Sequence, residues 1–265
     1  MVASPRRLFD YPRFQDTADR IATDFVDRTK DMAFNRTSIL FSDALCVCAL
    51  CEMYEVDYLL ESGTGFGGST EMFARYFAGG HRVQRIWSVD LAVTPLRAWY
   101  LRWFGERNRH VWSTASGAQA QARSRLSAFP HVELVHGDGT LELPKLARSL
   151  TAAGFRVGVL IDGPKEAAQL QLAETLLAAT PLVRFAAIDD VGPLMGDGTR
   201  YARFLSSPYA AFATSDRDFF DRYAHVNGGR LPDRMRAQPA HTGDGVGILI
   251  NTMECSLADH PAMAR

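Results

Sequence analysis

The sequence predicts an α/β domain in which a mostly parallel sheet lies between two layers of helices. Three observations carry that prediction. Short apolar runs alternate with helical patterns from Val56 onward. Several of those runs are continuously apolar, as strands covered on both faces are. Run after run also closes on a carboxylate or a glycine turn. Strands that alternate with helices imply parallel pairing through right-handed crossovers.

The elements follow in order. Residues 20–28 carry Ile21 and Phe25 at helical spacing, and residues 37–54 read as a second helix. Residues 1–54 are therefore expected to form an N-terminal helical extension, with 55–265 as the main domain of one globular unit. The first strand is expected at 56–61 (VDYLLE), followed by a glycine-rich turn and a helix through 71–77. Further strands are expected at 85–90 (RIWSVD), 131–136 (HVELVH), 157–162 (VGVLID), 185–189 (FAAID) and 245–251 (GVGILIN), with a helix over 166–179. About forty residues separate Asp90 from His131, where about ten to fifteen of helix would suffice for a crossover. That interval holds Trp99, Tyr100, Trp103, Phe104 and Trp112. It reads as a lid, as a face for a second subunit in a homodimer, or as an extra helix packed on the core.

Composition narrows the function classes. The chain has 265 residues, enough for one large core. Lys plus Arg is 29 and Asp plus Glu is 30, a formal net charge of -1, so the field that holds a polyanion is missing and nucleic acid is not an expected partner. No apolar run approaches the ~20 residues that cross a bilayer. Residues 1–20 carry both signs of charge and no apolar h-region, so the expected compartment is the cytoplasm. Of the cysteines Cys46, Cys48, Cys51 and Cys255, three crowd into one apolar stretch. A metal nest needs a fourth ligand and a chain that wraps the ion. A helix rich in Leu45, Ala49 and Leu50 instead favours buried thiols that pack as small hydrophobes.

In an open parallel sheet a ligand binds beyond the carboxyl ends of the strands, where the strand order reverses. The first such end is Glu61-Ser62-Gly63-Thr64-Gly65-Phe66-Gly67-Gly68-Ser69-Thr70. Gly63, Gly65 and Gly67 allow a tight turn and close backbone approach to a ligand. Ser69 is expected to cap the helix that follows and leave amide N–H groups pointing at that ligand. Glu61, two residues before the first glycine, repels a pyrophosphate but pairs with a cation. Asp90, at the end of the second strand, can accept hydrogen bonds from both hydroxyls of a ribose. Asp138, in His136-Gly137-Asp138-Gly139, is placed to meet an adenine amino group, or serves as ordinary turn chemistry.

E-x-G-x-G-x-G, an acid closing strand two and G-D after strand three together resemble the class I S-adenosylmethionine (SAM)-dependent methyltransferases. The resemblance covers roughly residues 56–191. It implies a Rossmann-like three-layer αβα sandwich with a seven-stranded sheet. It also implies a SAM site built from Glu61, Gly63, Thr64, Gly65, Gly67, Ser69, Asp90, Asp138 and Asp162. Asp162-Gly163-Pro164-Lys165, then Asp189-Asp190, is similar to the cation-dependent, catechol-type O-methyltransferases. That likeness implies Mg²⁺ held by Asp162, Asp189 and Asp190, with Lys165 as the base and Asp162 as the second catalytic residue; the alternative has Asp162 orienting the substrate, Asp189 exposed and no metal. Asp190 stands where that family has Asn, which adds negative charge and leaves the ligand set open. The glycine motif also resembles bacterial methyltransferases of sugars and other natural products.

The expected reaction is methylation of a small hydroxylated metabolite, assisted by a divalent metal, with N- or C-methylation without metal also open. Without a metal, a histidine is the natural base, and His136, His225 and His241 are the candidates. The glycine-rich residues 192–200 and the basic residues 227–236 either set specificity or serve as ordinary connections. Two other classes stay open: a nicotinamide-dependent oxidoreductase on a similar sheet, and a non-catalytic binding module that keeps the fold.

Overall fold

The computed structural model describes residues 9–33, 38–90, 115–163, 167–192, 198–231 and 245–251. The aromatic interval at 94–112, Lys165, His241 and Cys255 lie outside the described residues.

Helix α1 (Tyr11–Thr29) starts where Asp10 Oδ1 accepts the Arg13 amide at 3.0 Å, with a proline in its first turn. It buries Phe14, Ala18, Ile21 and Phe25, a three-to-four spacing that turns one stripe inward. The helix is longer than residues 20–28, because its first turns alternate apolar with polar residues and reveal themselves only through the cap. Helix α2 (Phe41–Met53) is buried on nearly every side. Cys46, Cys48 and Cys51 lie there as free, buried thiols, and burial pushes all three thiol pKa values well up.

From there strands and helices alternate: β1 (Tyr58–Ser62), α3 (Gly68–Phe77), β2 (Arg85–Asp90), α4 (Ala115–Leu126), β3 (Val132–His136), α5 (Gly139–Ala152), β4 (Val157–Ile161), α6 (Ala167–Ala179) and β5 (Val183–Ile188). Then come α7 (Thr199–Ser206), β6 (Ala210–Ala213), α8 (Arg217–Asn227), a 3₁₀ turn (Gly228–Arg230) and β7 (Gly247–Ile250). The seven strands form one sheet in the order β3-β2-β1-β4-β5-β7-β6. The β3-β2-β1-β4-β5 block is parallel throughout. β7 is antiparallel to both of its neighbours.

The sheet buries both faces. Leu59, Ile86 and Leu160 pack with α1, α2 and α3 on one side. Leu60, Val89, Val159 and Ile161 pack with α5 and α6 on the other. This is the Rossmann-like three-layer sandwich that the motifs implied. β6 is an addition, since its sequence AAFA has no β-branched residue to mark a strand. No helix among the described residues is long and apolar enough to cross a membrane.

Candidate active site

Chain order reverses at β1, which stands between β2 and β4, so the crevice for a ligand lies above the ends of these three strands. Backbone hydrogen bonds lace those ends into one edge. Gly137 N donates to Asp90 O at 3.0 Å, and Gly63 N to Val89 O at 2.9 Å. Asp162 N donates to Ser62 O at 2.8 Å, and Asp189 N to Ile161 O at 3.0 Å. The structure therefore gathers Glu61, Asp90, Asp138, Asp162 and Asp189 along one row of strand ends.

The turn after β1 needs its glycines for different reasons. Gly63 has φ +98°, and a Cβ there would stand 3.0 Å from Gly163 N and 3.1 Å from Asp162 Cβ. It is the point where the ends of β1 and β4 touch. Gly65 has φ +51° and would carry its Cβ into open space, with nothing within 4 Å. That open side is where a ligand can lie against the backbone. Gly65 N donates to Asp90 Oδ2 at 2.7 Å, which ties the turn to β2.

Gly67, at φ +77°, is the N-cap of α3, and no side chain caps that helix. Ser69 sits inside the first turn instead of capping it, because the left-handed glycine already sets the helix entry. The anion-binding amide end expected from the sequence still faces the turn. Helix α4 packs against it, with Leu126 and Ala122 leaving no room for a Cβ on Gly67. Arg125 Nη1 donates to Glu71 Oε2 at 2.9 Å and holds α4 on α3.

Glu61 lies within β1 and is completely buried. Parallel register puts it beside Ser88. Ser88 Oγ donates to Glu61 Oε2 at 2.6 Å, and Thr70 Oγ1 donates to the same oxygen. Thr64 and Ser88 share a further hydroxyl bond of 2.6 Å. Glu61 Oε1 is buried with no hydrogen-bond partner. Burial raises the carboxyl pKa to about 7, the two hydroxyls pull it down, and the charges of Asp162 and Asp90 add to the rise. Ser88 is a site residue that the sequence did not reveal, and Thr70, the last residue of the glycine-rich motif, had no role assigned to it there. Only the strand register and the return of α3 bring them to Glu61.

Asp138 is the N-cap of α5: its Oδ1 accepts from Thr140 N at 2.8 Å and from Thr140 Oγ1 at 2.7 Å. The next residue, Gly139, sits hard against Ser62 Oγ, so the start of α5 abuts the end of β1. His136 is exposed at the end of β3. His225 lies on α8, its Nδ1 3.0 Å from Arg222 O, and belongs to a different part of the fold.

The metal expectation fares differently. Among the described residues, no group of three or more His, Cys, Asp or Glu side chains is placed to hold an ion. Asp162 and Asp189 follow neighbouring strands, but Asp190 turns away with φ +60°. Its main-chain oxygen accepts from Arg200 Nη1 at 3.1 Å, and its Oδ2 stands 3.6 Å from the same nitrogen. Asp162, Asp189 and Asp190 thus do not form the ligand set expected for Mg²⁺, because one of the three is held by a guanidinium.

A SAM-like ligand fits better. The open side of Gly65 is the cradle, and the orphaned oxygen of Glu61 beneath the turn favours a positive charge above it.

No protein-family model matches the chain, and no curated protein matches it. Solved structures do. The cofactor-bound protein Rv0187 from MTB is 19% identical, with 95% of this chain and 99% of that chain covered and a TM-score of 0.42. An O-methyltransferase from Bacillus cereus in complex with SAH is 15% identical, with 89% and 90% covered and a TM-score of 0.41. The calicheamicin methyltransferase CalS11 is 16% identical, with 66% and 77% covered and a TM-score of 0.42. Function therefore rests on the site's own residues.

Proposed function

We propose that this chain is a SAM-dependent methyltransferase that acts on a hydroxyl group of a small metabolite. One observation carries the reading: a fully buried carboxylate, Glu61, stands two residues before a glycine turn at which a Cβ on Gly65 would meet nothing within 4 Å. A dinucleotide would lay a pyrophosphate over that turn, against the fields of Glu61, Asp90 and Asp162. A sulfonium donor with an amino group meets the same field as attraction. The sheet order supports the distinction. Dinucleotide folds add a sixth parallel strand beyond the fifth, whereas here the antiparallel β7 lies beside β5.

Bound at this turn, SAM supplies an electrophilic methyl group. The chain's own residues do the rest. Asp90, whose carboxylate offers about four lone-pair sites, keeps acceptor capacity for ribose hydroxyls beyond its bond to Gly65. Asp138, anchored by its cap bonds, stands at the adenine end of the edge. Asp162, beside Gly63, orients the acceptor hydroxyl. Lys165, three residues further on and outside the described residues, is assigned the proton from that hydroxyl, taken up by its neutral amine. No step is assigned to a metal ion, since the three acids do not converge.

Calorimetric titration with SAM tests the reading. Wild type is expected to bind one equivalent, and Asp90→Ala to bind at least about tenfold more weakly, the loss expected for charge-assisted bonds. Equal affinity in the two proteins would remove Asp90 from the cofactor site.

A further inference from the structure

We propose that the fixed positive charge at the end of β5 is the guanidinium of Arg200, and that it takes the place of a divalent cation there. This inference builds on the methyl-transfer reading but concerns a different strand end. Asp190 is a non-glycine residue at φ +60°, a left-handed conformation that L side chains rarely adopt and that persists only when its surroundings enforce it. The surroundings are visible. Arg200 Nη1 donates to Asp190 O at 3.1 Å. Val191 N donates to Gly245 O at 2.8 Å. Ser215 Oγ donates to Val191 O at 3.2 Å. The turn is thus pinned from three sides, and Arg200 supplies the charge.

Arg200 is itself held firmly. It lies in the first turn of α7, whose Phe204 is fully buried. The adjacent Tyr201 hydroxyl donates to Asp216 Oδ1 at 2.7 Å. For Asp190 to ligate a metal, the backbone would have to leave the left-handed turn and the carboxylate would have to leave Arg200. Arg200 is therefore a positioning residue for the turn at Asp190, and the chemistry at β4 runs without a divalent ion.

The test uses Mn²⁺ alone as probe, read by electron paramagnetic resonance, on wild type, Arg200→Gln and Arg200→Lys, with SAM affinity measured on the same samples. Wild type is expected to show no saturable Mn²⁺ binding below about 1 mM, since two half-buried carboxylates bind a hard cation only weakly. Arg200→Gln, with the edge charge unbalanced, is expected to bind Mn²⁺ about tenfold more tightly than wild type. Arg200→Lys restores the wild-type result, which a merely structural defect would not do. SAM affinity is expected to stay within about twofold across the three proteins, because Arg200 lies away from the glycine turn.

Micromolar, stoichiometric Mn²⁺ binding by wild type overturns the proposal, as does an Arg200→Gln protein that binds SAM normally but gains no Mn²⁺ affinity. If Arg200→Gln does not fold, the wild-type and Arg200→Lys titrations still decide. Failure of wild type to bind SAM, with Mn²⁺ results as expected, overturns the methyl-transfer reading and leaves Arg200 in place.

Discussion

Glu61 ties ionisation to ligand binding. Its carboxyl pKa is raised to about 7 by burial, above the ~4.3 of an unfolded chain. The folded state then holds a proton that the unfolded state has lost. Its contribution to stability is complete below the unfolded pKa and disappears as pH rises through about 7. A cation bound above the turn favours the ionised form, so binding below that pH must also expel the proton. SAM affinity should therefore strengthen by up to about tenfold from pH 6 to pH 8. Glu61→Gln should bind with no such dependence, as calorimetry across that range would show. A flat wild-type profile would mean that Glu61 does not sense the cofactor. The glycines offer a second check. Gly63→Ala, clashing with Gly163 and strained at φ +98°, should lower stability by about 1–3 kcal/mol. Gly65→Ala, with space around it, should cost less stability but weaken SAM binding. Urea denaturation and titration of both variants separate the two effects.

The carboxylates were legible in the sequence because each closes an apolar run. Their partners were not. Ser88 looks like one polar residue in a strand, and only pairing with β1 sets it against Glu61. Ser69 shows the opposite failure: a good capping residue by type, it was displaced from that role by Gly67 one turn position earlier.

The sequence showed only the second half of α1 and neither α7 nor α8. Phe14 of α1 is fully buried, with ring centroids 5.0 Å from Phe212 on β6 and 6.2 Å from Phe219 on α8. Tyr223 on α8 reaches back to Asp19 at 3.0 Å. The helix is thus seated on the far edge of the sheet, and Phe14→Ala should cost about 3–5 kcal/mol of unfolding free energy in one cooperative transition. A cost below about 1 kcal/mol, or a separate early transition, would show that α1 packs as a loose appendage. Sequence periodicity found the parallel strands well and missed β6, whose alanines pack on both sides with Phe212 as its one strand-favouring residue. Long-range packing decides such a segment, and nothing local announces it.

For the sheet as a unit, the central claim is that five parallel strand ends deliver acidic side chains to one edge, and that this edge grips a sulfonium donor. The order β3-β2-β1-β4-β5 places the crossover point where the glycine turn stands. Parallel pairing followed from alternating strands and helices; the strand order itself did not. The antiparallel β7 and the absence of a converged metal triad among the described residues did not, because both depend on how residues beyond β5 fold back. Thermal unfolding with SAM, and separately with NADH, addresses the claim most directly. With SAM at a hundred times its dissociation constant, linkage supplies about 2.7 kcal/mol, which for a chain of this size raises Tm by about 5–10 °C, and NADH should leave Tm unchanged. A protein that NADH stabilises and SAM does not would contradict the account.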